Sequence, residues 1–127
     1  MKPEAKAKNA IVDAFQEGGH YARRFEDQFY VGFPDMILIP RGYPAFFTEA
    51  KIVDGLQFKP RLRQWVELDR LSLSPKHVIP TMLGVKAGVH YLLKFAKIVH
   101  IVDCVKQRDG EHIVDLFKRY YHERMEL

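Results

Sequence analysis

The sequence predicts a mixed α/β fold, a central mixed sheet flanked by helices in the order αβββαβ with a C-terminal extension. Three observations carry that expectation. Apolar residues recur at helical spacing near both ends of the chain and again after residue 60. Short apolar runs bounded by Gly and Pro fill the stretches between. No repeat, low-complexity tract or long linker divides the 127 residues, so residues 1–127 read as one domain.

Residues 3–17 read as the first helix. Pro3 suits a first helical position, Ile11, Ala14, Phe15 and Gly18 share a stripe, and Gly18-Gly19 supply the stop. Glu4 and Lys8 stand four apart, in the favourable order for a surface ion pair. A strand is expected around residues 21–25. Residues 35–39 and 45–52 are apolar runs separated by Pro40-Arg41-Gly42-Tyr43-Pro44, which is turn chemistry and predicts a β-hairpin. Both its strands are apolar on both faces, which places the hairpin inside a sheet covered on each side.

Pro60 opens a second helix running to about residue 71, with Leu62, Trp65, Val66, Leu68 and Leu71 turned inward. Strands at residues 78–85 and 89–95 flank the turn Lys86-Ala87-Gly88. Residues 98–105 fit a strand or a helix equally well. A final helix over residues 111–124 buries Ile113, Val114, Phe117, Tyr120 and Tyr121.

Composition removes several classes of function. Hydrophobic residues at 47% and charged residues at 28% exclude a disordered or fibrous chain. A single cysteine, Cys104, excludes an internal disulfide framework, and no secretory pattern opens the chain, so a cytoplasmic setting is expected. No apolar run approaches the roughly 18 residues a membrane span needs. The six histidines lack metal-ligand spacing, and no Gly-Lys-Ser/Thr loop is present, so neither a zinc site nor a nucleotide cofactor is expected. His100, Asp103 and Cys104 mimic a nucleophile pair but read as core or interface residues. The net charge of +4 is compatible with a polyanionic partner without requiring one.

The chemistry lies in the hairpin. With Gly42 at the turn centre, residues equally far before and after it face each other, so Asp35 falls opposite Glu49. Facing side chains have Cβ atoms about 4.5–5.5 Å apart, where two like charges repel. Burial adds to that repulsion, and one carboxylate then takes up a proton unless a cation lies between them. Lys51, two residues beyond Glu49, projects from the same face. A one-residue slip would move Asp35 to the other face and dismantle the patch.

Gly32-Phe33-Pro34-Asp35 followed by Thr48-Glu49-Ala50-Lys51 resembles the signature of the PD-(D/E)XK nucleases. The preceding glycine and the gap of one short hairpin are similar to the VRR-NUC branch and to archaeal-type Holliday-junction resolvases. In those relatives a glutamine follows on the next helix with apolar residues behind it, and Gln64, Leu68 and Leu71 stand in that place. The resemblance spans roughly residues 3–85. It implies a restriction-endonuclease-like core and hydrolysis of DNA phosphodiesters dependent on Mg²⁺, with Mn²⁺ able to substitute. It also implies Asp35, Glu49 and the backbone carbonyl of Ala50 as metal ligands, Lys51 as the water-orienting residue, and Gln64 as a further catalytic residue. Such nucleases often add a glutamate from the first helix. Glu4 and Glu17 are both candidates here, while the position that aligns best holds Lys8.

Lys59, Arg61 and Arg63 crowd the start of the second helix, where its dipole disfavours cations. They fit a phosphate-binding surface or a solvated face equally well. Arg23 and Arg24 extend the same set. The expectation is a DNA endonuclease selective for junctions, flaps or branches rather than a long base sequence, acting as a homodimer. A phage or mobile-element origin, with action in the host cytoplasm, fits so small a module. The alternative is a catalytically silent DNA-binding or assembly module of the same fold, which a missing first-helix acid would favour.

Overall fold

The computed structural model describes residues 2–25, 34–58, 70, 78–94 and 98–124. The helix expected over residues 60–71, and with it Lys59, Arg61, Arg63 and Gln64, lies outside them except for Arg70. Helix α1 (Pro3–Glu17) starts on its proline and ends at Gly18, with Gly19 at φ +79° turning the chain away. Strands β1 (Tyr21–Arg24), β2 (Met36–Ile39) and β3 (Ala45–Ile52) follow as an antiparallel meander. The β2–β3 turn closes through Tyr43 N–H donating to Pro40 O at 2.9 Å, with Gly42 at φ +85°. A left-handed third turn position is one that glycine occupies without steric penalty.

After the short β4 (Gln57–Phe58), β5 (Val78–Lys86) pairs with β3 in parallel, Thr48 against Thr81 and Lys51 against Gly84. Strand β6 (Val89–Lys94) returns from β5 through Ala87-Gly88, both at positive φ as a two-residue hairpin turn requires. The residues that fit strand and helix equally well turn out to be neither throughout. They divide into β7 (Val99–His100), a 3₁₀ turn (Ile101–Asp103) and the start of β8 (Val105–Lys106). The main sheet has the order β1-β2-β3-β5-β6-β8, while β4 and β7 form a small sheet of their own. The chain then enters α2 (Ile113–Arg124).

Strand alternation gives the main sheet two unlike faces. On one, Met36, Leu38, Phe46, Ala50, Ile79, Leu83 and Leu92 meet α1 and α2, whose Phe15, Phe117 and Tyr120 complete the core. Phe117 meets Phe46 and Phe15 edge-on, with ring centroids 5.1 and 5.4 Å apart. On the other, Met82 joins Val53, Phe58, Val99 and Ile101 in a smaller cluster. That face also carries the odd-numbered β3 positions Glu49 and Lys51.

Both described helices depart from the expected stripes. Lys8 and Val12 are buried on α1, whereas Gly18 is an exposed cap. On α2, Leu116 is buried and Tyr121 only partly so, because Tyr121 leans edge-on against Tyr43 near the hairpin turn.

Candidate active site

The β2–β3 pairing keeps the expected register: Met36 faces Thr48, Ile37 faces Phe47 and Leu38 faces Phe46, each pair symmetric about Gly42. Asp35, one residue before β2, is held in line by its carbonyl, which accepts Phe25 N–H at 2.7 Å. Directly behind the site, the hydroxyls of Thr48 and Thr81 bond each other at 2.7 Å in the helix-facing core. Neighbouring β3 residues therefore serve opposite purposes, Thr48 satisfied inward and Glu49 directed into the charged cluster.

Carboxylate oxygens of Glu4, Asp35 and Glu49 lie within 4.8 Å of one another. Their exposure grades steeply. The Glu49 side chain is 1% exposed, that of Asp35 24% and that of Glu4 39%, so Glu49 forms the floor and Glu4 the mouth. Two ammonium groups attend them. Lys51 Nζ lies 3.6 Å from Glu49 Oε1, and Lys8 Nζ lies 2.6 Å from Asp35 Oδ2 and 3.1 Å from Glu4 Oε1.

Burial is the main cause that drives the Glu49 carboxyl up to about 8, and the nearby charge of Asp35 adds to it; Lys51 and Lys8 counter only in part. Burial alone would lower the Lys8 pKa, but its bonds to Asp35 and Glu4 outweigh burial and hold it above the ordinary lysine value. Three carboxylates with hard oxygen donors fit a divalent cation. Asp35, Glu49 and Glu4 would hold it.

Of the two first-helix glutamates, one reaches the cluster. Glu4 joins the cluster, one turn before the position that aligns best, and Glu17 sits at the opposite end of α1. The Glu4–Lys8 pair is no surface pair, since Lys8 is buried and shared with Asp35. A signal for this was present in the sequence. Lys8 stands three, four and seven residues before Ile11, Val12 and Phe15, on the apolar stripe itself, and a lysine there requires an acid to meet it.

The other candidates separate. Arg23 shares the sheet face of Glu49 and Lys51, is exposed, and stacks over Tyr21 at 4.8 Å. Arg24 turns to the opposite face, where its Nη1 donates to Asn9 Oδ1 at 2.9 Å. Cys104 is partly buried, its Sγ directed at His100 O at 3.6 Å, and burial pushes its thiol up to about 11, so it holds no thiolate near neutrality. Phe117 and Tyr120 are core residues.

Lys51 also has an unusual neighbour across the parallel pair. A Cβ on Gly84 would come within 3.0 Å of Phe58 Cζ and 3.2 Å of Val53 Cγ2, so the bare backbone is what lets the Phe58 ring lie there.

This architecture, a six-stranded mixed sheet with both described helices on one face, is the restriction-endonuclease-like fold. Among solved structures the chain is similar to Archaeoglobus fulgidus Hjc, a Holliday junction resolvase from an archaeal hyperthermophile, with a TM-score of 0.64. The likeness covers 83% of this chain and 92% of the resolvase at 9% sequence identity. No family model matches the sequence, and neither does any curated protein. No helix among the described residues is long and apolar enough to cross a membrane.

Proposed function

We propose that the chain is a single PD-(D/E)XK-type nuclease domain, a metal-dependent deoxyribonuclease that cleaves junctions, flaps or branched DNA. The observation that carries this reading is the convergence of Glu4, Asp35 and Glu49, with Lys51 beside Glu49, on a resolvase-like fold. The motif with which Asp35, Glu49 and Lys51 match the PD-(D/E)XK and VRR-NUC nucleases supports the same reading. A bound divalent cation supplies Lewis acidity, polarising a phosphoryl oxygen and lowering the pKa of water.

The chain's own residues account for the rest. Asp35 and Glu49 would hold the cation, with Glu4 and the Ala50 carbonyl as further ligands. Lys51 orients the attacking water and stabilises charge building on the phosphoryl oxygens. As water adds to phosphorus the bridging P–O bond breaks, and the departing oxygen takes up a proton. Arg23 lies on the same sheet face and fits a phosphate contact. Lys59, Arg61 and Arg63 are the proposed continuation of that surface, and Gln64 remains a proposed catalytic residue. A homodimer supplies two symmetry-related sites for the two strands of a junction.

The silent-module alternative draws on a missing first-helix acid, and the place of Glu4 beside Asp35 and Glu49 counts against it. The test is incubation of four-way, flapped and linear DNA with Mg²⁺ or Mn²⁺, with and without chelator. Cleavage of branched DNA that chelator and Asp35→Asn both abolish is the expected result. Retention of DNA without turnover, unchanged by Asp35→Asn, would establish the silent module instead.

A further inference from the structure

Lys8 has no counterpart in the pattern that identifies the other site residues, and its placement is the least expected feature of the cluster. It lies on the buried stripe of α1 and is only 8% exposed. Its ammonium contacts two of the three acids, at 2.6 Å from Asp35 Oδ2 and 3.1 Å from Glu4 Oε1. We propose that Lys8 is a resident cation that competes with the metal, so that a divalent ion enters the site only in exchange for the Lys8 ammonium. The inference rests on the metal-site reading above and deepens it.

A cation bonded to Asp35 Oδ2 at the roughly 2.1 Å that Mg²⁺ requires lies no more than about 5 Å from Nζ, wherever around that oxygen it sits. Across such a distance, in a partly buried site, a divalent and a monovalent charge repel by several times the thermal energy. The ammonium must withdraw from the acids before the metal binds tightly. Its four-carbon stem permits that, because Glu4 and Asp35 lie toward the exposed side of the cluster. Lys51 is placed differently: its ammonium lies 3.6 Å from Oε1 of the buried Glu49, a looser contact than the 2.6 Å of Lys8 to Asp35.

Lys8 thus has two opposing effects. It neutralises acids that would otherwise repel one another in the metal-free protein, and it weakens the metal site by occupying it. The test is Mn²⁺ binding followed by the paramagnetic resonance signal of the free ion, a readout independent of cleavage. Lys8→Met is expected to bind Mn²⁺ at least tenfold more tightly than the wild type. Lys8→Gln, which keeps hydrogen-bond donors without the charge, tests the same point if Lys8→Met does not fold. Lys8→Arg, which keeps the charge, is expected to bind no more tightly than the wild type. If the wild type binds Mn²⁺, Asp35→Asn does not, and neither uncharged variant gains affinity, the competition is overturned while the metal site stands. If no variant binds and the wild type does not either, the metal-site reading fails and this inference with it.

Discussion

Two clusters of charge in this molecule show how differently the same side chains can be used. From the middle of α2, Arg119 reaches back to Glu111 ahead of the helix and grips it with two parallel bonds, Nε to Oε2 at 2.9 Å and Nη2 to Oε1 at 2.8 Å. The same guanidinium also donates to Lys106 O, and Glu111 Oε1 accepts Arg108 N–H. Each partner favours the charged form of the other: Arg119 holds the Glu111 carboxyl below its ordinary value, and Glu111 raises Arg119. At the β2–β3 hairpin three acids share two ammonium groups, and the deepest acid is driven the opposite way. A balanced, bidentate pair is a clasp. An excess of carboxylates held together against their repulsion is a receptacle for a cation.

The comparison fails at once if the acids prove dispensable. Asp35→Asn and Glu49→Gln are each expected to reduce cleavage by at least about a thousandfold and to abolish any Mg²⁺-induced rise in melting temperature. Activity assays and thermal melts with and without Mg²⁺ check this, and equal melting shifts in wild type and both variants would refute it. Lys51→Ala is expected to slow the chemical step by roughly a hundredfold while leaving the metal-induced melting shift intact. Single-turnover kinetics beside the same melts would separate the two effects.

The clasp should respond to mutation in stability alone. Arg119→Met is expected to cost about 1–2 kcal/mol, since it strands a mostly buried carboxylate, without altering the response to metal. Denaturant melts with and without Mg²⁺ measure both quantities.

The finest distinction is one of pH. Glu49 titrates near 8 in the fold against 4.5 unfolded, so in that interval the folded protein binds more protons. Its contribution to metal-free stability is therefore fully present below about pH 4.5 and is lost as pH rises through 8. Metal affinity should rise over the same range as the proton leaves. Glu111 has the opposite sign: its stabilisation is present above its ordinary value of 4.5 and is lost as pH falls through its depressed folded value. Melts of the metal-free protein across this range should show both slopes. Glu49→Gln removes the alkaline one and Arg119→Met the acid one.

These differences also mark what the sequence could and could not disclose. The hairpin was legible because Gly42 and its flanking prolines fix the turn, and side-chain alternation then leaves no freedom in the pairing of Met36 with Thr48. The facing of Asp35 and Glu49 follows from that count alone. From repulsion alone, replacing either acid by its amide should relieve the metal-free protein. The structure separates the two, because Asp35 is ion-paired with Lys8 whereas Glu49 lies buried beneath it. The choice between Glu4 and Glu17 was beyond reach because the angle at which α1 crosses the sheet depends on packing among Phe15, Phe46 and Phe117, which no local pattern encodes. Residues 98–105 resisted for another reason: β7, the 3₁₀ turn and β8 are each too short to impose a period.

Gly84 carries a consequence for how this site can change over time. The position facing Lys51 across the parallel pair carries no side chain, and its place is taken by the ring of Phe58, which pairs with Val99 in the small sheet. The backbone beside the lysine is therefore packed by a cluster of apolar residues, Val53, Phe58, Met82, Val99 and Ile101. Any side chain acquired at position 84 must push that ring aside and unsettle the β4–β7 sheet. Conversely, substitutions at Phe58 or Val99 can adjust the lysine's environment without changing a charged residue, leaving the chemistry open to gradual tuning from its periphery.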